Sequence, residues 1–181
     1  FGYVNDKGDF VIPPKYNKAY DFEGPIARVI YNGEYGLINS YGEFVLKPKY
    51  KKIGPYNEFG TAIVRYGNNR IRYGLINRTG NMITNQNFKK IAPFSEGLAA
   101  VKYKDEYGFI NPKGKIVITN DYSKVANFSN GRAVVQRKGL SGFVDKNGKE
   151  VIQLEFSKCL DFEDGKAVVY KGLRKAGLID T

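Results

Sequence analysis

The sequence predicts an all-β tandem repeat, on three observations. An aromatic–glycine pair recurs at Phe1-Gly2, Tyr35-Gly36, Tyr73-Gly74 and Tyr107-Gly108, and returns as Ser141-Gly142 with the aromatic lost. From that glycine onward the spacing is constant: a second glycine six residues on (Gly8, Gly42, Gly80, Gly114, Gly148), an aromatic fourteen on (Tyr16, Tyr50, Phe88, Tyr122, Phe156), and another twenty on (Phe22, Tyr56, Phe94, Phe128, Phe162). No stretch carries the 3.6-residue apolar period of a substantial helix. Steps between opening glycines are 34, 38, 34, 34 and 35 residues, a period typical of repeat architectures. The chain therefore reads as one array, with copies at 1–34, 35–72, 73–106, 107–140 and 141–175 and the start of a sixth at 176–181.

Within a copy the elements follow in order. Gly74-Leu75-Ile76 is short and apolar, as a strand should be. Asn77 to Gly80 is a turn, because the Asn side chain bonds nearby backbone and Gly accepts a positive φ. The same frame recurs at Asn5, Asn39, Asn111 and Asp145. Met82-Ile83 continues as a second strand, completing a hairpin. A polar stretch, proline-bearing at Pro13-Pro14 and Pro48, leads to the first aromatic, and an irregular segment to the second. After Phe94-Ser95-Glu96-Gly97, Leu98 to Lys102 alternates as a half-buried strand. Its inward columns are Ala27, Ala62, Ala99, Ala133 and Ala167, then Val29, Val64, Val101, Val135 and Val169.

That makes about three short antiparallel strands per repeat. An open curved or superhelical array is the expected architecture. A propeller-like toroid is the alternative, because three strands fall short of the usual four-stranded blade. Length changes fall after the second aromatic: copy two has an extra residue at Phe59 and a longer link from Gly67 to Arg72. Surface links tolerate insertions, whereas a one-residue slip within a strand turns its core face outward.

These columns resemble the WG (KWG) repeat family of bacterial β-repeat proteins. Tyr35-Gly36-Leu37-Ile38-Asn39-Ser40-Tyr41-Gly42 and Phe94-Ser95-Glu96-Gly97 carry the likeness, which covers essentially the whole chain. The family's opening Trp is Phe or Tyr in four copies, Ser141 in the fifth and Ala176 in the sixth, so looser packing is expected toward the C-terminal end. The resemblance implies a repeat module of a larger bacterial protein, commonly exported or attached to the cell envelope. The first residue already lies inside the motif, so the chain reads as a segment whose targeting information lies elsewhere.

Composition restricts the chemistry. With no histidine and one cysteine, His-based triads and dyads and His or thiolate metal sites are excluded. Cys159 falls in a column of Ala19, Ile53, Ile91 and Val125, and is expected to be a small buried residue. Gly108 to Lys115 and Gly142 to Lys149 only superficially resemble a phosphate loop. Five residues separate the glycines, and Ile116 or Glu150 stands where a metal-binding hydroxyl belongs. The turn column is neutral Asn in four copies, too little charge for calcium. Asn77-Arg78-Thr79 and Asn127-Phe128-Ser129 match glycosylation spacing but lie on repeat columns. Glu58, Glu96 and Asp164 could pair for glycan hydrolysis, but they occupy one repeated loop position. No catalytic, cofactor-binding or metal residues are assigned.

One column asks for more than packing. A lysine stands two residues after the first aromatic in every full copy: Lys18, Lys52, Lys90, Lys124 and Lys158. Lys15, Lys47, Lys49, Lys51 and Lys89 add charge nearby, and the chain carries a net charge of +11. Such a stripe is costly unless salt screens it or an anion binds it. Alternatively, each stem lies over a neighbouring aromatic with its head in water. The expected function is a non-catalytic binding or spacer module, meeting a protein or an anionic envelope polymer along these lysines. Nucleic-acid binding by the basic face and a carbohydrate-binding or hydrolase domain are the alternatives. No apolar run approaches the ~20 residues of a membrane helix. Phe94→Ala is expected to cost ~3–5 kcal/mol if Phe94 is buried.

Overall fold

The computed structural model describes residues 1–172 and 175–180, apart from the side chain of Asn120. Leu173, Arg174 and Thr181, in the fifth and sixth copies, lie outside the described residues. The chain forms two compact units, Phe1–Asn85 and Gln86–Thr181. Every regular element in the described residues is a β-strand. No helix is long and apolar enough to cross a membrane.

In the first unit, β1 (Tyr3–Val4) pairs with β2 (Phe10–Ile12). A four-stranded meander follows: β3 (Lys18–Glu23), β4 (Ile26–Tyr31), β5 (Glu34–Ile38) and β6 (Phe44–Tyr50). Then come β7 (Lys52–Tyr56), β8 (Thr61–Tyr66) and β9 (Arg72–Asn77), with Met82 bridging back to Ile76. The second unit begins with the meander β10 (Lys90–Ile91), β11 (Ala99–Tyr103), β12 (Glu106–Ile110) and β13 (Ile116–Tyr122). Next are β14 (Lys124–Val125), β15 (Arg132–Arg137), β16 (Leu140–Asp145) and β17 (Glu150–Phe156), and finally β18 (Lys158–Cys159), β19 (Lys166–Lys171) and β20 (Lys175–Asp180). All pairings are antiparallel between chain neighbours.

The all-β repeat expected from the sequence is what forms, with one refinement. The segment between the two aromatic columns is not irregular: it is a short edge strand (β3, β7, β10, β14 or β18), so most copies hold four strands. Its pairing is completed by the residue before the lysine. The amides of Asn17, Lys51, Lys89, Ser123 and Ser157 donate to the carbonyls of Ile30, Arg65, Lys102, Gln136 and Tyr170 at 2.7–2.9 Å. Each such sheet therefore starts at a column lysine, and the full meanders end on the next first aromatic. Sheets and sequence copies are offset by half a period.

This offset places residues of one copy in two successive sheets, and within each unit contacts inside a copy and between adjacent copies tie those sheets together. Phe109 on β12 meets Phe128, just beyond β14, edge-on at 4.8 Å, and Phe143 meets Phe162 in the same way. Ser95 Oγ donates to the Phe128 carbonyl and Ser129 Oγ to the Phe162 carbonyl, at 2.7 and 2.9 Å. In the first unit the Glu23 carboxylate accepts the Tyr56 amide at 2.9 Å. The alanine and valine columns are buried in all five copies, and the first aromatic in four. Phe94 is only half-buried, so its truncation should cost less than that of Phe128, which is 2% exposed.

The turns follow the residues that make them. Asn39 Oδ1 accepts the amides of Tyr41 and Glu43, both at 3.0 Å, and Asn77 does the same for Thr79 and Asn81. The extra residue at Phe59 turns copy two's hairpin tip into this same frame, with Asn57 accepting from Phe59 and Thr61. Elsewhere that tip is a two-residue turn, with Glu96 and Gly97 both at positive φ.

Asp145 is the one acid in the turn column. Its carboxylate accepts the Lys149 and Asn147 amides at 2.9 Å, and these bonds, led by that from Lys149, hold its pKa below the usual aspartate value. A depressed pKa stabilises the turn above the ordinary aspartate range, and that contribution disappears as pH falls through the lowered value. Asp145→Asn should remove this acid-side loss. The Lys149 amide shift, followed by NMR as pH is lowered, should titrate in the parent chain and stay flat in the variant.

Candidate functional site

The five column lysines occupy one structural position: the first residue of a sheet's edge strand, exposed in every copy. Their cross-strand partners are Ile30, Arg65, Lys102, Gln136 and Tyr170. Lys52 thus faces Arg65, and Lys90 faces Lys102. Like charges directly opposite each other in an antiparallel pair are unfavourable.

The neighbouring basic residues behave differently. Lys51 pairs with Glu34 at 3.0 Å and Lys89 with Asp105 at 2.8 Å, each reaching across to the hairpin turn beside it. Among the described residues none of the five column lysines forms such an ion pair. Two of them do lie over rings: Lys18 is 4.8 Å from the Tyr20 centroid and Lys158 is 5.6 Å from that of Tyr170. The stem-over-aromatic arrangement thus accounts for part of the column.

The structure brings two of these lysines together. Lys124 and Lys158 line one groove of about 410 Å³ between successive sheets of the second unit. Ser141 and Cys159 line it too. Cys159 is 8% exposed, and burial pushes its thiol up to about 11, as suits a small core residue. A groove of equal volume lies one repeat earlier, lined by Lys90 and walled by Tyr107. Nothing in the lysine spacing announced these grooves, although the loss of the aromatic at Ser141 was visible.

The carboxylates considered for hydrolysis sit on separate hairpin tips. Glu96 is committed to structure, accepting the Gly131 amide at 3.0 Å and pairing with Lys146 at 3.1 Å. Glu58 and Asp164 are exposed at turn tips in different units. Among the described residues no three His, Cys, Asp or Glu side chains gather as a metal group.

Short antiparallel sheets repeated in phase with the sequence define a tandem β-repeat protein. The chain belongs to the WG repeat family: the WG containing repeat matches residues 1–35, 35–69, 73–106, 107–140 and 142–172. No curated protein matches it. Among solved structures it is similar to a protein of unknown function from Bacteroides caccae, at 14% identity over 97% of this chain and 83% of that one, TM-score 0.34. It is also similar to Kluyveromyces lactis Hsv2p, at 11% identity over 95% and 70% of the two chains, TM-score 0.42. A eukaryotic initiation factor gives 13% identity over 98% and 57%, TM-score 0.45. Likeness at this level transfers no function.

Proposed function

We propose that the chain is a non-catalytic binding module whose column lysines, Lys18, Lys52, Lys90, Lys124 and Lys158, engage an anionic surface of a partner protein or an envelope polymer. The observation that carries this reading is the contrast between adjacent columns. Lys51 and Lys89 have carboxylate partners, while the column lysines stand exposed without them, and two of the five face another cation. An external anion would relieve that repulsion. A partner met once per repeat gains through effective concentration more than any single contact supplies.

The test is retention on an immobilised polyanion at low and moderate salt. The parent chain should elute markedly later than a variant with all five lysines changed to Gln, and the gap should narrow as salt screens the charges. Equal retention at low salt overturns the reading. The substitutions lie on exposed edge positions, so the thermal unfolding midpoint should stay within a few degrees of the parent.

A further inference from the structure

Three of the chain's sheet-to-sheet seams can be compared column by column, and they treat one seat differently. In the first unit the seat is filled by the chain itself. Tyr20 and Tyr35 stack with centroids 6.1 Å apart, their hydroxyls 3.0 Å from each other. Arg28 lies over the Tyr20 ring at 4.7 Å, and the column lysine Lys18 at 4.8 Å. In the second unit, the positions of Tyr20, Arg28 and Tyr35 become Ala92, Ala100 and Tyr107, then Ala126, Val134 and Ser141. The first of these seams keeps one ring, with Lys102 over Tyr107 at 5.2 Å. The second keeps none. Gln136 replaces Lys102 and donates to Ser141 Oγ at 3.3 Å.

The consequence appears in the grooves. Where Tyr107 stands, the groove reaches one column lysine, Lys90. Where Ser141 stands, it reaches two, Lys124 and Lys158. Its remaining wall is largely apolar, from Val125, Ala126, Val134 and Cys159. A volume of about 410 Å³ falls in the range of about 300–1,000 Å³ that takes small ligands or a partner's anchoring side chain. The chain's own Tyr20 shows what suits this position: a ring lying against a column lysine.

We propose that this groove receives an aromatic side chain of an acidic peptide segment on a partner protein. The ring takes the space above Ser141, against Ala126 and Val134, and flanking carboxylates meet Lys124 and Lys158. This rests on the reading of the column lysines as an anion-binding face, and names the partner's chemistry. A polymer of pure charge would use the lysines but leave the apolar wall uncovered, whereas an acidic segment with an aromatic residue satisfies both.

The test uses two blocked pentapeptides, each with four Asp and Glu residues around a central tyrosine or a central serine. Affinities are measured by calorimetry on the whole chain. The tyrosine peptide should bind about tenfold more tightly than the serine peptide, as expected for a buried ring under two cations. Ser141→Tyr should abolish that preference. Tyrosine is native to this column in three copies, so this variant should fold. Ala126→Tyr, which copies Tyr20, provides a second way of filling the seat.

Equal affinity for the two peptides, or a preference that survives both variants, overturns the groove proposal even where polyanion retention stands. Equal polyanion retention of the parent chain and the five-lysine variant, with the tyrosine preference intact and lost in Ser141→Tyr, would instead tell against the lysine stripe alone. Binding of a single-stranded oligonucleotide that Ser141→Tyr abolishes, with no binding of either peptide, would assign the seat to a nucleobase and likewise overturn the peptide.

Discussion

Phe109→Ala should lower the free energy of unfolding by ~3–5 kcal/mol, read as a shift of the urea midpoint at unchanged slope. Phe109 is fully buried and meets Phe128 edge-on, ring planes 63° apart. Tyr122, Ala133, Val135 and Val144 complete the cluster around the pair. Because the two rings belong to successive sheets, the truncation removes both local packing and the joint between repeats. In a stack whose stability is a sum of units and nearest-neighbour contacts, that joint is the cooperative term. Phe128→Ala should cost a similar amount, and the double variant should lose about 0.5–1.5 kcal/mol less than the sum of the two, the shared ring contact being lost only once. Tyr41 is the control: it sits on a turn at 84% exposure, and Tyr41→Ala should stay within about 0.5 kcal/mol. A loss below about 1 kcal/mol at Phe109 would show that the aromatic pair is not what joins the sheets.

Much of this core was legible because periodicity survives folding in a repeat. The alanine and valine columns were placed inward by alternation alone, and the turn column by the chemistry of Asn and Gly. The edge strand holding the lysines was not legible. At Lys90–Ile91 it is two residues long, too short to display an alternation, and its pairing depends on backbone bonds from the residue before it. The half-period offset between sheets and copies was hidden for the same reason. A recurring motif fixes the length of the period but not the point along it where one sheet ends. The groove at Ser141 was half legible: the missing ring could be read, but not that Ala126, just after β14, and Val134 on β15 would leave the same seat unfilled. That required the register of β14 and β15 against β16.

The opening glycine makes the second prediction, and the chain contains its own control. Ser141 pairs with Phe156 and Phe143 with Ile152, so three residues of β17 stand opposite Gly142 alone. The surplus backbone folds over that glycine. A Cβ there would lie 2.5 Å from the Ile152 carbonyl oxygen and 2.6 Å from that of Gln153. The same bulge recurs over Gly36, where a Cβ would meet the Leu46 carbonyl at 2.7 Å. Backbone cannot yield by rotating a side chain, so Gly142→Ala should reach or exceed the ~1–3 kcal/mol typical of overpacking. Gly177 occupies the same column at the start of the sixth copy, where β20 is the last strand of its sheet. A Cβ at Gly177 meets nothing within 4 Å. Gly177→Ala should therefore stay within about 0.5 kcal/mol of the parent. Thermal unfolding of the two variants separates the explanations: a large loss at Gly142 alone assigns this column to the crossing of the bulged strand. Equal losses at both would mean that the glycine is required by the conformation of its own strand, and that the bulge is incidental.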